Sequence, residues 1–403
     1  MSRIRKIITL IVVGLILSSC SKQVDYSDSY QPETDYPIRF QQQASNTRIV
    51  PSEAGYYILN ANYLYYADKS SMEPVLLDNR PDNQCLQPDQ TDPALHCSAY
   101  VNIPDTYGFL AYHKNKLYTL ENQAIFKKDQ VIAERTHLMQ VAKDGSSRKK
   151  MFTFESLPVS IIVHRGNVYY ALRDFDKDSN LRYEVRTFPL TSSSPKSKVI
   201  YKGQLPEGSI QGLTAYGKHL YFTEFAPNLT RVMHYDIQEK NLTRLFTDDD
   251  SVYPTLEDIA DNQLVFGYFY GTLEDKRSWV VYSSNLDGSQ IHKLPVDRTY
   301  LSIFSADDRY RYARPPWYYL DTDPFQSIPY EMTVYSPQYE ELGKVDMTAF
   351  KKDHSLIMGD DTYMFVRYGQ KGSQLVKILK KTEFPTRFPV FQDFLETPYR
   401  TEG

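Results

Sequence analysis

One short pattern recurs along this chain: a turn rich in Asn, Gly or Asp, followed by a run of aromatic and β-branched residues. The copies are Asn60-Ala61-Asn62 before YLYY, Lys114-Asn115-Lys116 before LYTL, Arg165-Gly166-Asn167 before VYYAL, Tyr216-Gly217-Lys218 before HLYF, Ala260-Asp261-Asn262 before QLVFGYF, Ala306-Asp307-Asp308 before RYRYA and Gly359-Asp360-Asp361 before TYMFV. Their turns are centred near residues 61, 115, 166, 217, 261, 307 and 360. Copies spaced by about 50 residues match the length of β-propeller blades, which contain four strands each.

The rest of each unit also has the pattern of antiparallel strands. Asp144-Gly145 and Asp287-Gly288 each separate two alternating apolar runs, which is a strong signal for a β-hairpin. No stretch after the N-terminal leader has convincing helical periodicity. We therefore predict an all-β fold, a β-propeller of seven four-stranded antiparallel blades over residues 47–390, followed by a C-terminal tail at 391–403.

Two features of this prediction stay open. The fifth and sixth copies are degenerate, so six or eight blades is the main alternative count, and a pair of β-sandwiches is the alternative fold. We expect the ring to close by pairing an N-terminal strand at Arg48-Ile49-Val50 with the last blade, because closure leaves only short sheet edges.

The composition agrees with a β fold and argues against one class of partner. Tyrosine is frequent, with 34 residues in 403, and it favours the half-buried surface of a sheet. The formal net charge is −4, and basic residues do not cluster beyond Arg148-Lys149-Lys150, which we interpret as a solvated turn. A nucleic-acid partner needs a clustered basic face, so we expect none.

The N-terminus has the layout of a cleavable export signal. Three basic residues precede an apolar run at 7–17, which is too short to span a bilayer. The next residues complete Leu17-Ser18-Ser19-Cys20, which resembles the bacterial lipobox. This resemblance implies that a lipoprotein signal peptide at 1–19 is removed and that Cys20 carries a diacylglycerol lipid. The lipid would anchor the protein to the extracytoplasmic face of the cell membrane. An ordinary signal peptide with a chance cysteine is the alternative.

The lipidated N-terminus is followed by a polar stretch. Residues 20–46 are rich in Ser, Asp and Gln, and we predict that they form a flexible, disordered tether. Within this stretch, Ile38-Arg39-Phe40 could pair as an edge strand.

The two remaining cysteines, Cys85 and Cys97, lie between the first and second copies of the pattern. Outside the cytosol they are expected to form a disulfide, which would close an irregular loop and stabilise the fold by roughly 3 kcal/mol. A zinc site with His96 as third ligand is the rival interpretation. That site lacks a fourth ligand, and the adjacent His96 and Cys97 point in divergent directions, so we favour the disulfide and expect no metal.

The first blade and its cysteine loop suggest a family. Gly55-Tyr56-Tyr57-Ile58, the YLYY strand, Cys85 and Cys97-Ser98-Ala99-Tyr100 resemble uncharacterised lipoproteins of Gram-positive bacteria that carry a β-propeller domain of unknown function. In that family such loops often hold an additional Cys just after the strand and a His two residues after the next Cys. This sequence has Leu77-Asp78-Asn79 and Gln87 there instead, which argues against a metal site. The resemblance implies fold and location and carries no activity with it.

A search for catalytic motifs yields no candidate catalytic residue. The sequence contains no P-loop, dinucleotide fingerprint, paired-His zinc motif or Gly-x-Ser-x-Gly elbow. The missing elbow weighs against a peptidase that combines a propeller with a hydrolase. His113, His164 and His219 lie at or beside the repeated turn at non-equivalent offsets, so we interpret them as solvated turn residues.

The best candidate for a ligand-binding surface is ARPPWYYLDTDPF at 313–325. Its two prolines stiffen the segment, and the remaining groups belong to types enriched at binding hot spots and sugar-stacking surfaces. These candidates are Arg314, Trp317, Tyr318, Tyr319 and Phe325. A long inter-strand loop packed on its own blade is the alternative.

The sequence therefore supports two functional hypotheses. The first is a membrane-anchored extracytoplasmic lipoprotein whose propeller binds or scaffolds an envelope protein, a peptide or a glycan, without a cofactor other than the lipid on Cys20. The second is a glycan-active hydrolase or lyase with an acidic site at the mouth of the propeller channel. Two or more buried carboxylates, or a carboxylate and a His, in the central opening would favour the enzyme, whereas an opening lined by uncharged side chains would favour binding.

Overall fold

The repeated turns join neighbouring strands of four-stranded antiparallel sheets, and seven such sheets form a β-propeller. This computed structural model describes residues 26–42, 47–78, 85–86, 96–104, 107–127, 130–175, 181–203, 208–226, 229–246, 253–269, 280–296, 303–314, 330–350, 354–370, 372–384 and 389–399. The prediction of seven blades with four antiparallel strands each is confirmed.

Each blade takes its four strands consecutively from the chain. Blade 1 contains β1 (Ile49–Pro51), β2 (Gly55–Asn60), β3 (Tyr63–Asp68) and β4 (Pro74–Leu76), and blade 2 contains β5 (Leu110–His113), β6 (Lys116–Lys127), β7 (Gln130–Ala142) and β8 (Arg148–Thr153). Blade 3 contains β9 (Ser160–His164), β10 (Asn167–Phe175), β11 (Leu181–Pro189) and β12 (Lys198–Lys202), and blade 4 contains β13 (Ser209–Tyr216), β14 (His219–Ala226), β15 (Leu229–Asp236) and β16 (Asn241–Arg244).

The remaining three blades follow the same order. Blade 5 contains β17 (Tyr253–Ala260), β18 (Gln263–Phe269), β19 (Val280–Asn285) and β20 (His292–Lys293). Blade 6 contains β21 (Ile303–Ala306), β22 (Arg311–Arg314), β23 (Glu331–Tyr335) and β24 (Glu341–Asp346), and blade 7 contains β25 (His354–Ile357), β26 (Tyr363–Gln370), β27 (Ser373–Lys380) and β28 (Gln392–Pro398). Short 3₁₀ turns lie at Ile38–Phe40, Thr348–Phe350 and Lys381–Glu383.

The first strand of each blade lies nearest the ring axis, since β1 is beside β5, β5 beside β9, β9 beside β13 and β17 beside β21. We call the strands of a blade A to D from the inside outwards. The A–B turns all lie on one side of the ring, which we call the A–B face. They comprise residues 52–54, 114–115, 165–166, 217–218, 261–262, 307–310 and 358–362. The opposite side, where B–C turns lie, is the B–C face.

The chemistry of the repeated turn explains its sequence. In the A–B turns of blades 2, 3 and 5, both turn residues have positive φ, as at Lys114 (48°), Asn115 (61°), Arg165 (47°) and Gly166 (74°). Two-residue turns with two positive φ angles match the twist of a hairpin and favour Asn, Asp and Gly.

The first copy of the pattern occupies a different place in its blade from the other six. Ala61 and Asn62 also have positive φ angles, 44° and 68°, but they connect β2 to β3 and therefore form a B–C turn. The A–B turn of blade 1 is the earlier segment 52–54. The pattern thus identifies hairpin turns and gives the correct number of blades, although it does not fix the position of each turn within a blade.

Aromatic rings fill the spaces between blades, which accounts for the abundance of tyrosine. Between blades 2 and 3, the rings of Phe152 and Phe188 stack with centroids 4.3 Å apart. Phe154 meets Tyr170 edge-on at 5.0 Å in the same cluster. Burying each such ring contributes roughly 1.5–3 kcal/mol, so packing between neighbouring blades stabilises the ring.

The ring closes without a shared strand, so the predicted pairing of Arg48-Ile49-Val50 with the last blade is wrong. β1 pairs with β2 inside blade 1, and blade 7 has four strands of its own. Side chains join the two blades instead. The side-chain amide of Asn60 donates hydrogen bonds to the Gln374 carbonyl and the Thr397 hydroxyl, both at 2.9 Å.

Both predicted ends of the propeller also need correction. β28 spans Gln392–Pro398 and completes blade 7, so the last blade extends into the residues predicted as a C-terminal tail. At the other end, residues 26–42 of the predicted tether pack against the propeller, as described below. Ile38–Phe40 forms a 3₁₀ turn there instead of the expected edge strand.

Candidate functional site

The N-terminal segment, residues 26–42, lies across the A–B face. Asp35 forms a buried ion pair with Arg165 of blade 3, and its Oδ1 lies 2.7 Å from Nε. The same carboxylate accepts a hydrogen bond from the backbone N–H of Gly217 in blade 4 at 3.2 Å. One aspartate therefore holds the segment to two neighbouring blades.

Tyr36 is the most deeply buried residue of this segment. Its backbone N–H donates to Nδ1 of His164 at 3.0 Å, and Nε2 of His164 donates to the Gly217 carbonyl at 2.7 Å. The phenol of Tyr36 reaches the hydroxyl of Thr47 at 2.8 Å. Burial lowers the pKa of His164 to about 4, so its ring is neutral near pH 7 and carries its proton on Nε2.

The end of the segment spans the seam between the last blade and the first. Arg39 pairs with Asp308 of blade 6 and with Asp361 of blade 7, the latter at 3.2 Å. The ring of Phe40 packs between Tyr56 of blade 1 and Phe365 of blade 7, with centroids 6.3 and 6.2 Å apart. The segment therefore braces the ring where no strand is shared.

Two further carboxylates lie on this side of the ring: Asp307 is buried and Asp258 is partly buried. Asp307 pairs with Lys381, and both side chains are fully buried. Burial opposes ionisation of Asp307, but Lys381 and local hydrogen bonds hold its pKa below the usual range. Asp258 accepts hydrogen bonds from the backbone N–H groups of Ile259 and Ala306 at 2.7 and 2.6 Å, and burial raises its pKa to about 7.

These carboxylates join parts of the fold. Asp35 faces Arg165, Asp307 faces Lys381, and Asp258 faces two amides of neighbouring strands. A general acid or base must lie within hydrogen-bond reach of a substrate. Asp35 and Asp307 are buried against these partners and do not meet that requirement, whereas Asp258 is partly exposed. All three lie on the side where the enzyme hypothesis expected an acidic site.

A chain of hydrogen bonds connects the N-terminal segment to blade 4. Oδ1 of Asp28 lies 2.9 Å from Nε2 of His219, whose Nδ1 lies 2.7 Å from Nε2 of His234. Burial lowers the pKa of His219, and burial followed by the neighbouring His219 lowers the pKa of His234 to about 4. Both rings are therefore neutral near pH 7 and serve as hydrogen-bonding connectors.

The histidines of the repeated turn are buried, so their interpretation as solvated residues is wrong. His113, His164 and His219 are exposed by 4% or less. His164 and His219 are covered because the N-terminal segment lies over them. No local sequence pattern around these histidines indicates that contact. Burial also lowers the pKa of His113 to about 4.

A cleft of about 740 Å³ lies between blades 6 and 7, towards the B–C face. Its aromatic lining is formed by Phe350, Tyr368 and Phe391, and the Phe350 ring lies 5.4 Å from Tyr368 and 4.7 Å from Phe391 between centroids. Lys377 adds a cation and pairs with Asp393 at 2.7 Å. The other lining residues are Asp346, Thr348, Ala349, Gly369, Gln370 and Pro389. We call this the aromatic cleft.

A buried polar group supports the aromatic cleft from behind. The ring of His354 lies 6.4 Å from Phe350 and bonds to the hydroxyl of Tyr330 through Nε2. Nη1 of Arg314 donates to the same hydroxyl at 3.3 Å. Burial and the charge of Arg314 lower the pKa of His354 to about 3, so this histidine is neutral near pH 7.

Of the five predicted binding residues, Arg314 is the one within the described part of the chain. Arg314 is 5% exposed and points inward to Tyr330, so it supports the blade and does not present its guanidinium to solvent. Trp317, Tyr318, Tyr319 and Phe325 lie outside the described residues, as does Cys20. Arg314 and Tyr330 contact each other behind the aromatic cleft.

The predicted disulfide between Cys85 and Cys97 is confirmed. Both cysteines are buried, and the carboxylate of Asp78 lies beside them and accepts a hydrogen bond from the hydroxyl of Ser98. Sulfurs joined in a disulfide are not thiolates and cannot act as zinc ligands, so the rival metal site does not form in this state. His96 is exposed.

Sequence reasoning missed the aromatic cleft and the buried N-terminal segment. The cleft combines Phe350, Tyr368 and Phe391 from separate strands and links, so no local motif contains it. The segment did carry a signal, since Tyr36 and Phe40 are unusual in a solvated linker. Within the residues that the structure describes, no helix is long and apolar enough to cross a membrane.

The fold defines a seven-bladed β-propeller protein, and solved peptidases share this architecture. A prolyl endopeptidase matches 91% of this chain with 50% of its own, at 10% identity and a TM-score of 0.54. Prolyl oligopeptidase B from Galerina marginata matches 93% of this chain with 52% of its own, at 11% identity and a TM-score of 0.50. The β-propeller domain of the Trilobed protease from Pyrococcus furiosus, described as having an open velcro topology, covers 69% of this chain and 83% of its own at 11% identity and a TM-score of 0.46.

This chain spans about half the length of the two full peptidase chains. Identities near one residue in ten indicate a shared fold and do not transfer an activity. No protein-family model matches the chain, and no curated protein matches it either.

Proposed function

We propose that this protein is a lipid-anchored extracytoplasmic binding module, and that its propeller holds an envelope protein, a peptide or a glycan at the aromatic cleft. The anchor is the diacylglycerol expected on Cys20. The Cys85–Cys97 disulfide supports a location outside the cytosol, because disulfides persist in oxidising compartments.

The aromatic cleft is the observation that carries this proposal. Tyr368 and Phe391 are half-buried, so each ring offers a free surface while its other side is packed. Such rings bury a large area at low entropic cost, and Lys377 and Asp346 supply polar groups that could fix an orientation. Pockets of this size and mixed lining are typical of ligand sites.

The alternative function, a glycan-active hydrolase or lyase at the channel mouth, has weaker support. Three of the carboxylates described there, Asp35, Asp258 and Asp307, are bound to structural partners. A glycosidase needs two carboxyl groups that flank an accessible bond. We therefore favour binding over catalysis.

The test compares wild-type protein with Tyr368→Ala and Phe391→Ala on glycan and peptide arrays, followed by calorimetry on any ligand found. Loss of one stacking contact should weaken binding by about tenfold, which corresponds to about 1.4 kcal/mol. Phe175→Ala is the matched control because Phe175 is 67% exposed and lies on blade 3. Equal binding by the cleft variants and the control would reject the aromatic cleft as the ligand site.

A further inference from the structure

The N-terminal segment is attached at a defined place on the ring. Oδ1 of Asp28 lies 2.9 Å from Nε2 of His219 and 3.7 Å from Nζ of Lys218. Two residues later, the ring of Tyr30 stacks on Tyr216 with centroids 5.7 Å apart. All of these partners belong to the A–B side of blade 4. The chain therefore approaches the propeller from its A–B face.

The distance from this attachment to the lipid-bearing residue is short. Asp28 follows Cys20 by eight positions, and eight fully extended residues span at most about 29 Å. The eight residues of β14 span about 26 Å between the two faces of the propeller. If Cys20 is held at the membrane, turning the B–C face towards the lipid would require an almost fully extended connection to Asp28, which is entropically costly. The A–B face can turn towards the lipid with a slack connection.

We propose that the A–B face is the membrane-facing surface of the propeller and that the aromatic cleft faces away from the membrane. The partner of the A–B face is the polar headgroup layer of the bilayer. This inference rests on the proposed lipid anchor at Cys20 and adds an orientation to it.

The exposed side chains of the A–B turns suit such a neighbour. They are polar and carry charges of both signs, as at Glu53, Lys114, Asp261, Asp308 and Arg309. Charged groups of mixed sign can remain hydrated beside headgroups, whereas burying them in hydrocarbon would be costly. The face is thus expected to rest against the membrane without inserting into it.

The experiment uses the full-length lipidated protein in vesicles that contain a headgroup-labelled acceptor dye. Single cysteines are introduced on the A–B side as Glu53→Cys or Lys116→Cys, and on the other side as Phe175→Cys or Gln370→Cys. All four positions are exposed or lie in exposed turns. Cys85 and Cys97 are joined and Cys20 would be acylated, so a donor dye labels only the introduced thiol.

Energy transfer to the acceptor should be at least about twofold greater from the A–B positions than from the B–C positions, because the two sets lie at opposite ends of the strands. Equal or reversed transfer on membrane-bound protein would overturn the orientation while leaving the anchor intact. Failure of the wild-type protein to bind vesicles would instead overturn the anchor and with it the proposed function.

A second variant tests whether the short connection between Cys20 and Asp28 causes this orientation. A Gly/Ser insertion of about 30 residues before Val24 adds a flexible segment with an average end-to-end distance of about 30 Å. The difference between the two sets of positions should then shrink towards equality. A difference that persists unchanged would contradict the inference, because the tether length would not set the orientation.

Discussion

The two faces of this propeller differ in how far their side chains are covered. On the A–B face, the N-terminal segment covers the ring and buries Asp35, Tyr36 and Phe40 among the A–B turns. Towards the B–C face, the aromatic cleft between blades 6 and 7 stays open, and its charged groups reach solvent. Charged groups on the first side join blades, whereas those at the cleft have local partners, as in the Lys377–Asp393 pair within blade 7, and remain in contact with solvent. The difference indicates that a buried charge in this protein marks structure, and that a half-exposed aromatic ring marks the candidate site.

The largest expected effect contrasts two ion pairs. Asp307→Asn leaves the ammonium of Lys381 buried beside a neutral group, and the free energy of unfolding should fall by about 3–5 kcal/mol. Lys377→Met breaks the pair with Asp393, whose side chain is 85% exposed, and should cost at most about 1 kcal/mol. Urea unfolding of both variants measures the contrast. Similar losses would remove the distinction between the two faces.

The pH dependence of stability offers a second contrast. The pKa of Asp258 is raised to about 7 in the folded protein, so the folded state keeps a proton that the unfolded chain releases above about pH 4. The stability of wild type relative to Asp258→Asn should therefore fall as pH rises from about 4 to about 7, by as much as about 4 kcal/mol in total. Below and above that window the difference should be constant.

Urea unfolding at a series of pH values checks this expectation. Asp393→Asn is the matched control at the aromatic cleft, because that carboxylate is exposed. A stability difference between wild type and Asp258→Asn that does not vary with pH would show that Asp258 is ionised in the folded state.

The smallest contrast compares two tyrosines. Tyr36→Phe removes the buried hydrogen bond to Thr47, and should lower the free energy of unfolding by about 1 kcal/mol. Tyr368→Phe in the aromatic cleft should change it by less than about 0.5 kcal/mol, as is usual for accessible positions. Thermal unfolding of both variants tests the ranking. An equal effect at Tyr368 would mean that its hydroxyl has a structural role.

The fold was predictable because its signal is local. Turns such as Lys114-Asn115 and Arg165-Gly166 need residues that tolerate positive φ, and the strands beside them need aromatic side chains. One copy of this turn-and-strand pattern lies in each blade, so counting the copies counts the blades. They say nothing about which strands pair at the ends of the chain, and the expected closure strand at Arg48-Ile49-Val50 was wrong for that reason.

The candidate site was much less predictable. Phe350, Tyr368 and Phe391 come together only after blades 6 and 7 pack, and each looks like an ordinary core aromatic in sequence. Arg314, which was predicted as a binding residue, lies behind this cleft, but its side chain is buried and donates to the Tyr330 hydroxyl. The prediction for residues 26–42 was wrong in the opposite sense. Their polar composition predicted a solvated tether, but a few of them are deeply buried.

The closure of the ring has a further consequence for how such a chain can change in length. Every sheet is built from one continuous stretch of the sequence, and among the described residues blades 1 and 7 share no strand. Contacts such as those of the Asn60 side chain with the Gln374 carbonyl and the Thr397 hydroxyl join them instead. Duplicating or deleting one whole repeat would leave every remaining sheet with its four strands and its hydrogen bonds intact. The packing at every junction would have to adapt, because the angle between neighbouring blades depends on how many blades the ring contains. The N-terminal segment would also have to span a ring of different size. Hydrogen bonding within the sheets therefore does not set the number of blades, whereas packing between blades and the N-terminal segment do.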